Sequence, residues 1–530
     1  MESTTTNPDL SGNLDSSELY AETFYKPISE ESNQPRAGSH FNQDPIPRLP
    51  VEIASHIFGL CLNAISIFND TNVAIEDFYS WPYDNRKVHE DHFFQFTLGS
   101  VCRTWRQIVW SNPSFWRRVT VTLFQTTPVM VATLMKEWLD RSARLPLTIC
   151  LDFIYSTNSN EPDHTGYSKP LMEAISSVSD RWSMINFQLP YTYLASIRIK
   201  HPQPYFRSLF LQVLAHDGHS YFNIFEKSAV KQLQVYGVPS GFLPFHFDAL
   251  THFHQGGFGA RDCIEVLRRS PYLLHATFLD TEGLYPMVPV TNSSIQHLEV
   301  LRASDALWQS MTLPSLRELT LGDQCEFEQS VTEFACRSQC PLQKASFGWP
   351  TDEGDLLSFL KSVPSLEELE WIYADINLEA SILELLGKTA DVEQAHPGRQ
   401  FLPNLSKLSI TTARDFPWSS LVSIASATAP RLGMVRRPLR RITITLNLKP
   451  YSTSEDTFDA GDLLLEEIDV ECVRSILRLI DSGIDFRLRD FNEHRDVLQE
   501  WIRYYIAKEG ELEWLKPYHL GRSCSELTST

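Results

Sequence analysis

The sequence predicts an α/β protein in which a small N-terminal helical unit precedes a long array of strand–helix repeats with a helical C-terminal cap. Two observations lead to this fold class. Near the N-terminus, apolar residues recur three and four positions apart, as they do along one face of an amphipathic helix. Further on, the pattern apolar-x-x-apolar-x-apolar recurs at a nearly constant interval, which is typical of repeat architectures.

Composition limits the classes of function. The chain has 530 residues and a formal net charge of -20, which opposes the counterion displacement that nucleic-acid binding requires. It contains no run of roughly twenty apolar residues, so no membrane span is expected. The nine cysteines are scattered, and the first residues lack the pattern of a signal peptide. We therefore expect reduced thiols, a cytoplasmic or nuclear location, and neither nucleic acid nor membrane as a partner.

Polarity and periodicity divide the chain into five predicted regions. They are a disordered acidic tail at 1–44, the helical unit at 45–118 with an inserted loop at about 63–93, the repeat array at 119–460, the helical cap at 461–516, and a flexible tail at 517–530. The tail and the insertion are rich in polar residues and lack a sustained period, so they are expected to bury little.

The first helical pattern follows the Leu-Pro pair at residues 49 and 50. Its apolar positions lie three and four residues apart: Ile53, Ile57, Leu60 and Cys61. Pro50 suits a first helical turn, where its missing N–H would have no intrahelical acceptor. Glu52 lies in the same turn, where a negative charge is favourable.

A second helix is predicted to begin at Thr97, which suits an N-cap. Its apolar stripe is formed by Leu98, Val101, Cys102, Trp105, Ile108 and Val109. It must end by Asn112, because the residue before Pro113 is pushed out of the helical region. Phe115 and Trp116 then begin a short third segment, and the RVTVTLF that follows alternates like a strand.

Together these segments resemble an F-box. The family's pattern of Leu-Pro, Glu-Ile and a helix ending in Ile-Phe matches Leu49, Pro50, Glu52, Ile53, Ile57 and Phe58. Its Val-Cys-Arg-x-Trp-Arg helix matches Val101, Cys102, Arg103, Trp105 and Arg106, and its closing Pro-x-x-Trp matches Pro113 and Trp116. The long insertion departs from the pattern and is similar to fungal, basidiomycete-like members. The resemblance covers residues 46–118.

The resemblance implies a partner, the Skp-type adaptor of a cullin–RING ubiquitin ligase, and through the adaptor a cullin. A three-helix unit this small cannot bury all its apolar surface internally, and the remainder invites a partner. The residues that the resemblance assigns to the adaptor contact are Leu49, Pro50, Ile53, Ile57, Phe58, Val101, Cys102, Trp105 and Trp116. The alternative is that the same residues pack onto the domain that follows.

The repeated pattern is clearest in PSLRELTL, PSLEELEW and PNLSKLSI, which begin their apolar positions at Leu316, Leu366 and Leu405. Weaker copies begin at Met184, Phe206, Val230, Leu273, Ile295, Leu342 and Leu439. Between Val230 and Leu366 the starts are 21 to 26 residues apart, except for one interval of 43 that a poor copy at 250–253 would divide. This period predicts an irregular leucine-rich-repeat-like solenoid. An ordinary α/β domain with similar alternation is the alternative.

Successive side chains of a strand point to opposite faces of the sheet, so each copy of the pattern predicts which of its residues lie in the core and which lie on the other face. Leu319 and Leu321 are expected in the core, whereas Glu318 and Thr320 point to the other face. The same count gives a predicted target-binding surface formed by Gln232, Gln234, His297, Glu299, Glu318, Thr320, Lys344, Glu368, Glu370 and Lys407. The alternative is that these residues only solvate the sheet and that a target binds the loops.

The two ends of the array have their own predictions. Residues 138–153 resemble the entry to such arrays in fungal F-box proteins, with a helix end at Trp138 and a first strand from Leu147. Polar loops are predicted at 155–169 and 388–400, and a third at 450–462 separates the last strand from the cap. Two amphipathic helices, VECVRSILRLIDSG and RDVLQEWIRYYI, are expected to form that cap.

The sequence contains no motif for catalysis, a cofactor or a metal. Cys336 and Cys340 have helical spacing but no second close pair to complete a zinc site. His252 and His254 would share one face of a strand, but the approach to two glycines favours a turn there. GGFGA lacks the Gly-Lys-Ser/Thr ending of a phosphate loop.

The predicted function is therefore that of a non-catalytic substrate-recognition subunit of an SCF-type ubiquitin ligase. The F-box would bind the adaptor, and the array would hold a target protein near a ubiquitin-carrying enzyme. One alternative is a repeat-array interaction protein whose F-box serves an assembly role outside ubiquitin transfer. The other is an enzyme whose site has no recognisable motif, which convergent polar groups with shifted pKa values would favour.

Overall fold

The computed structural model divides the chain into two units, Met1–Phe58 and Gly59–Thr530. The residues that the structure describes are 49–65, 94–124, 129–154, 165–200, 202–214, 225, 228–237, 246–279, 281, 287–322, 329–348, 353–372, 376–388, 401–412, 416–427, 438–446, 470–490 and 497–498. The predicted tails, almost all of the predicted insertion and the predicted loop at 450–462 lie outside the described residues, as does most of the second cap helix.

The helices near the N-terminus follow the predicted order but not the predicted number. α1 spans Val51–Ile65, α2 spans Phe94–Val101 and α3 spans Arg103–Ser111, and Pro113–Trp116 form a turn of 3₁₀ helix. The prediction of one helix from Thr97 was wrong. Cys102 is extended, and its Sγ accepts a hydrogen bond from the Trp105 amide at 3.4 Å, so this residue caps α3 and separates it from α2.

Sixteen strands are present in the described part of the second unit. In chain order, β1 to β16 span Arg118–Phe124, Leu147–Ile154, Trp182–Pro190, Ser208–Leu214, Gln232–Tyr236, His252–Gly256, His275–Phe278, Val290–Thr291, His297–Val300, Met311–Thr312, Glu318–Leu321, Lys344–Gly348, Glu368–Ile372, Lys407–Thr412, Arg441–Leu446 and Asp485–Asp490. Fourteen of them form one parallel sheet in strict chain order, while β8 and β10 pair separately. The predicted α/β class is confirmed, and the sheet is long and parallel.

Helices lie between many of the consecutive strands. In chain order, α4 to α13 span Val129–Arg141, Thr165–Ser177, Tyr191–Ser196, Ala260–Arg269, Asp305–Ser310, Gln329–Ser338, Glu353–Ser362, Ile376–Lys388, Trp418–Ala427 and Val470–Asp481. Neighbouring helices such as α9 and α10, or α11 and α12, contact one another. Their apolar side chains and those of one sheet face form a single continuous core, which leaves the other sheet face polar.

The repeat interval is regular in the middle of the sheet. Residues paired across neighbouring strands from Gln232 to Glu368 follow one another at intervals of 20 to 26 residues. β6 divides the long interval where the poor copy was noted. The interpretation of 252–257 as a turn was therefore wrong. Phe253 and Gln255 are buried, and they alternate along β6 with the half-buried His252 and His254. The turn begins only at Gly257, whose φ is +86°.

Both ends of the array differ from their predictions. β1 precedes the strand at Leu147, so that strand is the second and not the first. The predicted loop at 155–169 gives way at Thr165 to α5, which accommodates Pro170. The predicted helical cap contains α13 but also β16, which pairs in parallel with β15. Gly483, with φ at +91°, ends α13 and allows the chain to turn into that strand.

Candidate functional site: the polar face of the sheet

Strand register brings the predicted target-binding residues together in two straight rows, which together form the polar face. The first row runs through Gln232, His252, His275, His297, Glu318, Lys344, Glu368, Lys407, Arg441 and Asp485. The second row runs through Gln234, His254, Thr277, Glu299, Thr320, Ser346, Glu370, Ser409, Thr443 and Arg487. All ten predicted residues belong to one row or the other.

The predicted alternation of faces is confirmed by burial. Leu319 and Leu321 are buried in the core, while Glu318 and Thr320, which alternate with them along β11, are half-buried. Glu299 is the exception among the ten, because only 5% of it is exposed. Its Oε2 accepts a hydrogen bond from Thr277 Oγ1 at 3.1 Å, so its carboxylate is directed along the sheet and offers the least surface to a partner.

Three histidines of the first row form a stacked ladder. The ring centroids of His252 and His275 are 4.3 Å apart with 7° between the planes, and those of His275 and His297 are 4.1 Å apart with 9° between the planes. His252 and His275 were not among the residues predicted for this face. Their signal was the repeat interval, which places them at the same position as Gln232 and His297.

Hydrogen bonds fix which nitrogen carries a proton at both ends of this ladder. His297 Nδ1 lies 3.0 Å from Glu318 Oε2, and a carboxylate oxygen accepts, so Nδ1 carries the proton. His252 Nδ1 lies 2.9 Å from Thr251 Oγ1, whose own proton is donated to the Lys231 carbonyl at 3.0 Å. That hydroxyl therefore accepts from His252 Nδ1. In the neutral rings Nε2 is left as an acceptor.

The environment keeps the histidines of β6 and β7 neutral. Burial lowers the pKa of His254 to about 3, and its Nε2 lies 2.5 Å from the Tyr236 hydroxyl. Burial, followed by the neighbouring imidazoles of His297 and His252, lowers the pKa of His275 to about 4. Burial and His297 also lower the pKa of His252. These rings are hydrogen-bonding groups without charge at neutral pH.

Charged residues occupy the rows on the C-terminal side of the ladder. Lys407 pairs with Glu368, and Arg441 Nε lies 2.9 Å from Asp485 Oδ2. Arg487 binds the same carboxylate at 2.8 Å. Partial burial alone would raise the pKa of Asp485, but the hydrogen bonds from Arg487 and Arg441 outweigh it and hold that pKa below its usual value. These half-exposed pairs act mainly by setting the charge pattern of the face.

In the first unit, the residues assigned to the adaptor fall into two groups. Leu49, Pro50, Ile53 and Ile57 are exposed, and 48% of Ile53 is accessible. Phe58 is only 2% exposed. The Pro50 carbonyl accepts from the Ile53 and Ala54 amides at 3.0 and 3.1 Å and so begins α1. Four of these five residues therefore offer surface, and Phe58 does not.

In the second unit, the residues assigned to the adaptor contact also fall into exposed and buried groups. Val101 is 56% exposed, whereas Cys102 and Trp105 are half-buried. Trp116 is buried: its indole Nε1 donates to the Val109 carbonyl at 3.0 Å, and its ring meets that of Trp138 on α4 edge to face at 5.3 Å. For Trp116 the structure favours the alternative of packing onto the domain that follows.

The described side chains do not assemble into a metal site. No group of three or more histidines, cysteines or carboxylates among the described residues is arranged to hold a metal ion. The stacked imidazoles have parallel planes, so their lone pairs do not converge on one point. Cys336 is exposed and Cys340 half-buried, and both are unpaired thiols.

Comparison with known proteins gives no family for this chain. No protein-family model matches it, and no curated protein matches it significantly. None of the helices in the described part of the chain combines the length and the apolar character that crossing a membrane requires.

Proposed function

We propose that this chain is a substrate-recognition subunit of an SCF-type cullin–RING ubiquitin ligase. The N-terminal F-box-like segment binds a Skp-type adaptor, and the sheet, as a leucine-rich-repeat-like solenoid, holds a target protein on its polar face. The observation that carries the proposal is the exposure of Leu49, Ile53 and Ile57 at the motif positions that the F-box resemblance assigns to the adaptor. Exposed apolar side chains grouped on one helix are typical of a surface that a partner covers.

The polar face supports the second half of the proposal. Parallel sheets are usually covered on both faces, yet the two rows of this sheet remain polar and partly exposed over ten strands. The titratable groups lie along these rows at successive strands, and they do not surround one reacting point. Such a layout suits recognition of an extended protein surface better than catalysis.

The adaptor contact is tested by recovery of partners from cells of the source organism. A tagged full-length chain is expected to recover both the Skp-type adaptor and a cullin. Recovery of the adaptor without the cullin would instead favour an assembly role outside ubiquitin transfer. Recovery of neither would contradict the proposal.

A Leu49→Ala/Pro50→Ala variant sharpens this experiment. Both substitutions remove exposed side chains and leave the Pro50 carbonyl that begins α1 in place. Adaptor recovery is expected to fall, while the thermal transition of the sheet unit stays unchanged. Undiminished recovery would show that the first helix is not the docking element.

A further inference from the structure

The polar face changes the sign of its charge along the sheet. Between β5 and β13 its two rows contain four carboxylates and one ammonium group: Glu299, Glu318, Glu368, Glu370 and Lys344. On β14 to β16 the outward residues include four cations and one carboxylate: Lys407, Arg441, Arg487, Arg489 and Asp485. The histidine ladder lies in the acidic part.

The ladder adds hydrogen-bond acceptors to that negative charge. His252 and His297 direct Nδ1–H into Thr251 and Glu318, and their Nε2 atoms have no hydrogen-bond partner among the described residues. The three rings are half-exposed, so a partner reaches them. The lowered pKa of His252 means that its acceptor form is present at neutral pH. A group bound there must therefore donate hydrogen bonds, and the carboxylates beside it favour a positive charge.

Two carboxylates on the strands that follow extend the acceptor surface. Glu318 on β11 is half-exposed and already anchors His297, and Glu370 on β13 is half-buried, with no ion pair or hydrogen bond to its carboxylate among the described residues. Guanidinium groups carry five donors in a fixed plane, whereas an ammonium group is a compact point charge. Of the two cationic side chains, arginine is better suited to donate both to His297 Nε2 and to the Glu318 carboxylate on the adjacent strand.

From these contacts we infer that the polar face between β6 and β13 is a docking site for a cationic, arginine-bearing segment of a partner protein, with His252 and His297 as hydrogen-bond acceptors and Glu318 and Glu370 as its charge partners. This inference rests on the proposed function in one respect, since it names the chemistry of the target. The basic part of the face, on β14 to β16, then lies beyond the cationic segment and favours a single direction of binding.

The test uses the full chain and a fluorescein-labelled hexa-arginine peptide, with fluorescence anisotropy as the readout. A His252→Phe/His297→Phe variant keeps planar rings and neutral charge but removes both Nε2 acceptors. It is expected to weaken peptide binding by about tenfold, since hydrogen bonds to charged groups are among the strong ones. Equal affinity in the wild type and this variant would overturn the role of the ladder.

Matched charge variants separate the site from the overall charge of -20. Glu318→Gln/Glu370→Gln removes two charges from the face and is expected to weaken binding by about tenfold. Glu265→Gln/Glu333→Gln removes two exposed charges from α7 and α9 and is expected to change binding by less than about twofold. Equal losses in the two pairs, or tighter binding of a hexa-glutamate peptide, would overturn the proposal. If the histidine variant fails to fold, these two pairs decide alone.

Failure here is distinguishable from failure of the proposed function. Adaptor and cullin recovery depends on the F-box-like segment, whereas peptide binding is measured on the purified chain. Loss of adaptor recovery with retained, ladder-dependent peptide binding would leave a cation-binding protein outside ubiquitin transfer. Adaptor recovery without ladder-dependent binding would leave a ligase subunit whose target binds elsewhere.

Discussion

The imidazole ring of His275 lies flat against that of His297, with 4.1 Å between the ring centroids. Two imidazolium ions at this separation would repel each other, and burial adds to the effect, so the folded protein disfavours protonation of this face. Burial opposes protonation of His254, in the second row, more strongly still. Acid is therefore expected to destabilise the fold through these side chains.

His254 gives the clearest pH prediction. Its pKa is about 3 in the folded chain, against 6.5 for an unperturbed histidine. Between those two pH values the unfolded state binds more protons than the folded state. The contribution of His254 to the free energy of unfolding is therefore fully present above pH 6.5 and is lost progressively as the pH is lowered towards 3. From pH 7.5 to pH 5 this group alone removes about 2 kcal/mol.

Urea unfolding at several pH values checks this prediction. His254→Gln keeps a neutral group that forms hydrogen bonds, and it is expected to reduce the loss of stability between pH 7.5 and pH 5. His246→Gln is the matched control, because His246 is exposed. If the free energy of unfolding of the His254 variant depends on pH as steeply as that of the wild type, the lowered pKa of His254 is contradicted.

The alternation along each strand was predictable, because it depends on residues within one repeat. Leu319 and Leu321 are buried and Thr320 is not, as the pattern of the strand requires. The ladder was not predictable in the same way. It depends on the register of three strands whose ladder positions are 23 and 22 residues apart in the chain, and the local pattern near His252 favoured a turn.

The break between α2 and α3 shows the same limit. The apolar stripe continues through Cys102, so periodicity alone predicts one helix. The structure breaks there because the Cys102 side chain caps α3 and Arg106 Nε donates to the Gly99 carbonyl at 2.7 Å across the break. Neither hydrogen bond changes the spacing of the apolar residues, so the periodicity of the sequence does not reveal it. The burial of Trp116 likewise depends on a contact with α4, twenty-two residues away at Trp138.

Leu319 and Thr320 provide a direct test of the two faces. Leu319→Ala is expected to lower the free energy of unfolding by about 2–5 kcal/mol, because it leaves a cavity in the core. Thr320→Ala, the next residue on the same strand, is expected to change it by no more than about 0.5 kcal/mol. Urea unfolding of both variants measures the difference. Comparable losses would mean that Thr320 is also part of the packed interior.

The exposed side chains of α1 give a prediction about the adaptor. Ile53→Ala/Ile57→Ala is expected to weaken adaptor binding by about 2 kcal/mol or more, the size of an interface hot spot. Calorimetric titration with the purified Skp-type adaptor of the source organism measures the affinity. Val288→Ala, which shortens a strongly exposed apolar residue elsewhere, is the control and should leave the affinity unchanged. If both variants bind equally well, α1 is not the contact.

The last prediction concerns the charge order of the first row. Glu368 lies between Lys344 and Lys407 on neighbouring strands and forms an ion pair with Lys407. Glu368→Lys would place four cations at successive positions of that row, from Lys344 to Arg441. Like charges directly opposite each other in a sheet are destabilising, so a loss of about 0.5–1 kcal/mol is expected. Raising the salt concentration should reduce that loss, because the groups are partly exposed to solvent.

A double-mutant cycle isolates the pair from other effects of these substitutions. Glu368→Lys/Lys407→Glu reverses the pair and places a carboxylate between the new cation and Arg441, so part of the lost stability should return. Thermal unfolding of the wild type, both single variants and the double variant gives the coupling free energy. If the double variant is no more stable than Glu368→Lys alone, the ion pair does not contribute to stability. The charge order of the row would then bear on recognition alone.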